Sequence, residues 1–113
     1  MCDVLFISND RGVADLTSKI IEKYGYHVVC MTKKTEEPAK KPDLILFDCN
    51  MTPETGFEVY QDLLQRNPIA KILWISSEED DEISALEAGA DDFMRKPIKM
   101  DVLIARLNSL RRR

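Results

Sequence analysis

The stretch DLILFDCNMTPETGFEVY, residues 43–60, decides the fold. Four apolar residues, Leu44, Ile45, Leu46 and Phe47, run straight into the acid Asp48, and Asn50, Pro53 and Gly56 follow at once. A run that is apolar at every position suits a strand buried on both faces rather than one with a solvated side. Asp48, at the tip of that strand, reads either as an ordinary polar cap or as a site residue carried into a turn. Beyond it Phe57, Tyr60, Leu63 and Leu64 take up helical spacing, with Thr55 as a candidate N-cap and Pro68 just past the end.

The same two patterns alternate along the rest of the chain. VLFIS (4–8), HVVCM (27–31) and ILWIS (72–76) are short and largely apolar, and DFMR (92–95) is a weaker fifth strand. Val13, Leu16, Ile20, Ile21 and Tyr24 mark a helix that Gly25 stops. Ile83, Leu86 and Ala90 mark another, closed near Gly89; Val102, Leu103, Ala105, Leu107 and Leu110 mark the last, after Pro97. Strands alternating with helices imply a parallel sheet covered on both sides. One connection differs: TKKTEEPAKKP (32–42) is polar throughout, and Pro38 would break a helix interior, so a shortened or irregular second helix is expected.

At 113 residues, 44% hydrophobic and 32% charged, the chain fits one folded domain. No apolar run approaches the roughly 18 residues that span a bilayer, and the N-terminus lacks a signal-peptide pattern. No membrane association is expected. The three cysteines are odd in number and form no CxxC pair, which reads as reduced thiols in a cytoplasmic protein. A net charge of −4 is not built to coat nucleic acid, and the basic end at 111–113 suits a helix C-terminus or the start of a linker.

Ligands of an open parallel α/β sheet bind outside the carboxyl ends of its strands. Here those ends carry Ser8, Asn9 and Asp10; Asp48; Ser76 and Ser77; and Lys96 before Pro97. Two carboxylates held together repel unless a cation or a proton relieves them. A hard divalent ion such as Mg²⁺ would do so, and a lysine could anchor an anion beside it.

The set ND after the first strand, LILFDCNMTPETG around the third, WISS after the fourth and ALEAGADDFMRKPIKMDVLIARL at the end resembles a response-regulator receiver domain. It is most similar to the OmpR/PhoB branch, whose receivers precede a winged-helix DNA-binding domain. The resemblance implies a flavodoxin-like (βα)5 fold, a parallel five-stranded sheet in order 2-1-3-4-5, with Asp10 brought beside Asp48. It implies that residues 1–113 form the receiver and that contact with DNA belongs to an effector domain beyond Arg113. Asp48 matches the acceptor of a phosphoryl group from a sensor histidine kinase. Asp10, Asp48 and the backbone carbonyl of Asn50 match Mg²⁺ ligands, and Asn9 would act through a water. Ser76 matches the switch hydroxyl, Lys96 the ammonium that pairs with the phosphoryl group, Phe93 the aromatic that moves inward, and Pro97 a proline whose preceding bond is usually cis. Taken alone, Phe93 and Trp74 read as core, Cys49 as a small residue beside the site, and His27 as a histidine without a partner for a relay or metal.

The resemblance further implies a homodimer through the fourth helix (that of Ile83, counting the shortened second), the fifth strand and the last helix. Asp92 and Arg106 match one charged pair of that face and Asp91 joins them, whereas Glu87 meets Asn108 in place of a basic partner. Glu82 and Val102 depart likewise from a charged pair. Asn9 replaces an acid of the family pattern, so Mg²⁺ binding is expected to be weak. Thr52 stands where proline is common, and Arg11 adds a cation. Two readings follow: a phosphorylated switch module, not an enzyme acting on an external substrate, or an atypical receiver that signals without phosphate by constitutive dimerisation or protein binding. A flavin or nucleotide carrier is disfavoured, since SNDRGVAD lacks a Gly-rich phosphate cradle.

Overall fold

The computed structural model describes residues 2–8, 10–31, 41–48, 53–77 and 81–113, the side chains of 53–57, 59, 60 and 81 aside. Five strands, β1 (Cys2–Ile7), β2 (Tyr26–Met31), β3 (Leu44–Asp48), β4 (Lys71–Ser76) and β5 (Asp92–Arg95), form one sheet in the order β2-β1-β3-β4-β5. All four neighbouring pairs are parallel. The described helices are α1 (Arg11–Glu22), α2 (Pro53–Arg66), α3 (Asp81–Glu87) and α4 (Met100–Arg111). The β2–β3 connection, where a shortened helix was expected, lies outside the described residues over 32–40.

Every residue of β3 is buried, as a central strand with two covered faces requires. Leu44 and Leu46 join Val4, Phe6, Leu73 and Ile75 against α1 and α4, through Ile21, Leu103, Leu107 and Leu110. Ile45 and Phe47 join Leu5, Ile7, Ile72 and Trp74 against Leu63 of α2 and Ala85 of α3. Trp74 lies edge-on to Phe47 with ring centroids 4.9 Å apart, and is core. Burial, reinforced by nearby Asp43, pushes the Cys2 thiol up, away from the reactive thiolate.

Several local expectations are corrected. Helix α2 begins at Pro53, so Thr55 is inside the first turn and is not the N-cap; proline at the first helical position has no orphan N–H to leave unpaired. In α1 the buried face is Ala14, Thr17, Ser18 and Ile21, while Leu16 and Tyr24 are 67% and 58% exposed. Small side chains and Ile21 are buried there, and Leu16 faces outward. The same holds in α3, where Ala85 is buried and Ile83 is exposed. Gly25, at φ 89°, and Gly89, at φ 103°, follow α1 and α3 in the left-handed region that favours glycine. His27 Nδ1 lies 3.2 Å from Asp3 Oδ1, its register neighbour on β1, in an exposed pair of little energetic weight that makes neither a relay nor a metal site.

Candidate functional site

Strand order reverses between β1 and β3, which makes their carboxyl ends the switch point of the sheet. The β1–β3 register pairs Ile7 with Phe47, and one step further Ser8 meets Asp48. Because side chains alternate along a strand, Ser8 and Asp48 share the face of Phe6 and Leu46. Asp48 is fully buried. Its Oδ2 accepts a hydrogen bond from Ser8 Oγ at 3.0 Å, and the same Ser8 oxygen accepts from the Asp10 N–H at 3.1 Å.

The other oxygen meets a cation. Lys96 Nζ lies 2.8 Å from Asp48 Oδ1, an ion-pair contact without the alignment of a directed hydrogen bond. The ammonium acts there as a compact point charge on a flexible stem. Its backbone is fixed by a bond from Lys96 N–H to Ser76 O at 2.9 Å, just past the Ser76–Arg95 register pair. The Lys96–Pro97 peptide bond is cis. Ser76 itself is buried at the tip of β4.

Asp10 stands at the N-cap of α1, its Oδ1 accepting from Val13 N–H at 3.1 Å. That bond satisfies one orphan amide of the helix, and Asp10 is exposed there, while the contact to Asp48 is made by Ser8. Arg11 follows, exposed, in a first turn without acids, where a positive side chain opposes the helix dipole. Asn9, Cys49, Asn50 and Thr52 lie outside the described residues. Asp10 and Asp48 supply hard oxygens of the kind Mg²⁺ takes. Among the described residues no group of three His, Cys, Asp or Glu side chains forms a closed metal cluster.

Phe93 is 6% exposed and packs with Trp74, Phe47, Ala85 and Ala90. Phe93 is thus core, as its place in the sequence alone suggests. Near it a cavity of about 460 Å³ is lined by Phe93, Lys96, Pro97, Val102 and Arg106, on the face expected to dimerise. Four residues of that face are engaged within the chain. Arg106 Nη1 donates to both oxygens of Asp92, at 3.1 and 3.0 Å. Asp91 Oδ2 accepts from Ile72 N–H at 2.8 Å and Asp91 N–H donates to Ile72 O at 2.9 Å, so Asp91 clamps β4 rather than being held out for a partner. Asn108 is likewise committed: its Oδ1 accepts from Tyr26 O–H at 2.5 Å, which joins α4 to the start of β2.

Ser8 is the residue to which sequence reasoning assigned no role. Its signal was a hydroxyl ending an otherwise apolar strand, opposite an acid. A parallel sheet in the order β2-β1-β3-β4-β5 with helices on both faces and a buried carboxylate–lysine pair at its switch point defines a flavodoxin-like α/β module. The chain belongs to the response regulator receiver domain family, which residues 4–108 match. It is 34% identical over 118 residues to the KDP operon transcriptional regulatory protein KdpE of Escherichia coli K12, spanning 100% of this chain and 52% of that one. It is 32% identical over 116 residues to the alkaline phosphatase synthesis transcriptional regulatory protein PhoP of Bacillus subtilis 168, at 97% and 48% coverage. The chain thus spans about half the length of these curated relatives. The fold matches a two-component response regulator from Clostridium difficile with a TM-score of 0.88, at 20% identity, over 100% of this chain and 98% of that one. Phosphorylation and dimerisation switching are standard for the family, and receiver domains in general bind Mg²⁺ at the acidic pocket. Receiver domains of transcriptional regulators are not normally enzymes. No helix among the described residues is long and apolar enough to cross a membrane.

Proposed function

We propose that this chain is a cytoplasmic phosphorylation switch in which Asp48 accepts a phosphoryl group from a sensor histidine kinase. The observation that carries the reading is the burial of Asp48 with Lys96 Nζ 2.8 Å from Oδ1, an oxygen without a directed hydrogen bond. In the transfer Oδ1 attacks phosphorus, the new O–P bond forms, and the P–N bond of the phosphohistidine breaks with its electron pair leaving on the imidazole. Lys96 then pairs with the phosphoryl oxygens, and the Ser76 hydroxyl donates to one of them. Asp10, Asp48 and the Asn50 carbonyl would hold Mg²⁺, which when bound offsets the negative charge gathered there. With Asn9 in place of an acid, that binding is weak. The chain acts as a switch and not as an enzyme on an external substrate.

The face of α3, β5 and α4 forms the homodimer. Asp92 and Arg106 would exchange their internal pair for one across the dyad, each pair contributing about 0–1 kcal/mol. Contact with DNA belongs to an effector domain that follows the receiver in the whole protein. A second reading, signalling without phosphate by constitutive dimerisation or protein binding, is favoured by Asn9 in place of an acid of the family pattern. Mass spectrometry after exposure to acetyl phosphate and Mg²⁺ separates the two. The first reading expects a gain of about 80 Da that Asp48→Asn abolishes; no gain in the wild type, or a gain that survives in Asp48→Asn, overturns it.

A further inference from the structure

We infer that Ser8 is a positioning residue that favours the free carboxylate of Asp48 over its acyl phosphate and so shortens the life of the phosphorylated state. The inference rests on the reading of Asp48 as acceptor. Ser8 is 1% exposed, and its hydroxyl has one proton to donate. Two acceptors are near: the Asp10 carbonyl at 3.4 Å and Asp48 Oδ2 at 3.0 Å. The shorter contact, to a charged oxygen, is the one that holds it. The Asp10 N–H donates into the same Oγ at 3.1 Å, which polarises the hydroxyl and strengthens its bond to Asp48.

The two carboxylate oxygens are therefore inequivalent. Oδ1 faces Lys96 and is the side where a phosphoryl group meets a cation. Oδ2 is the side held by Ser8. When Oδ1 forms its bond to phosphorus, Oδ2 changes from half of an anion to the neutral carbonyl of a mixed anhydride. The Ser8 bond then loses its ionic part, and a hydrogen bond to a neutral acceptor is roughly half as strong as one to a charged acceptor. Hydrolysis reverses this: water attacks phosphorus, the P–Oδ1 bond breaks, and its electron pair returns to Asp48. Charge reappears on Oδ2 as the bond breaks, where Ser8 is already aimed at it.

The test compares wild type, Ser8→Ala, Ser8→Cys and Ser8→Thr, each loaded with acetyl phosphate and Mg²⁺ and then freed of donor. The half-life of the roughly 80 Da adduct is followed by mass spectrometry. Removing the hydroxyl in Ser8→Ala should lengthen the half-life about five-fold, from the difference between hydrogen bonds to charged and to neutral acceptors. Ser8→Cys, close in size with a weak donor, should lengthen it similarly, and Ser8→Thr should decay as wild type does. A purely structural Ser8 would lower the melting temperature of Ser8→Ala without changing the half-life. That result, or a Ser8→Thr that behaves as Ser8→Ala, overturns the inference. An absence of adduct in the wild type would overturn the acceptor reading itself, and is told apart by the wild-type sample alone.

Discussion

Replacing Lys96 by methionine should cost far more stability than replacing Asp48 by asparagine, although the two changes delete the same ion pair. The asymmetry follows from where each charge can go. Asp48 is 0% exposed and Lys96 21%, so a lysine without its partner can turn to water while the carboxylate cannot. At 2.8 Å and an effective dielectric near 20, the Coulomb attraction is about 6 kcal/mol before solvation is counted. Water at the lysine reduces that figure, and breaking a buried pair by removing one partner typically costs about 3–5 kcal/mol. The Ser8 hydrogen bond remains on Oδ2, which places Lys96→Met near the lower end, about 3 kcal/mol. For a chain of 113 residues this is a fall in melting temperature of about 12 °C. Asp48→Asn should change stability by less than about 1 kcal/mol, and the double variant should recover most of the loss seen in Lys96→Met. Urea unfolding of the four proteins at neutral pH gives the cycle. Equal losses in the two single variants, or no recovery in the double, would refute the reasoning, because the buried carboxylate would then not depend on the lysine.

If Asn9 belongs to the metal site as proposed, Asn9→Asp adds a negative charge there and should tighten Mg²⁺ binding several-fold, the sign following from Coulomb attraction alone. Trp74 is a suitable fluorescent reporter, since it packs edge-on against Phe47, the residue before Asp48; equal affinities would remove Asn9 from the metal site. Arg106→Ala frees Asp92 from its internal pair and should leave monomer stability within about 1 kcal/mol, while sedimentation of the phosphorylated protein shows weaker association if the pair exchanges across the dimer. Burial pushes the Tyr26 hydroxyl up from its ordinary value, against the opposing pull of Arg111. Its contribution to stability is therefore complete below about pH 10 and lost as pH rises above it, and Tyr26→Phe should flatten that alkaline decline while lowering the neutral baseline by about 1 kcal/mol through loss of the bond to Asn108.

The alternation of apolar runs and helical spacing was enough to read the five strands, their parallel arrangement and the acid at the tip of β3, because burial on both faces imposes an apolar run that is local in sequence. The positions of Asp48 and Ser76 at strand ends and of Lys96 just past one were legible for the same reason, whereas Asp10 lies past β1 at the N-cap of α1. The inward face of α1 was not legible. Ile21 is buried as its apolar character suggests, but Leu16 points to solvent while Ala14, Thr17 and Ser18 are buried, a choice made by how closely the helix approaches and not by hydrophobicity alone. The commitments of Asp91 to β4, of Asp92 to Arg106 and of Asn108 to Tyr26 were equally hidden, since each joins residues at least 14 positions apart. Above all, nothing local to VLFIS pairs Ser8 with Asp48, 40 positions away. Strand order places β1 beside β3, register brings Ser8 level with the acid, and the two-residue alternation turns both side chains to one face. Sequence determined which residues stand at the edge of the sheet; the tertiary structure decided which of them touch, because contact across a sheet depends on register, and register is a property of the assembled strands.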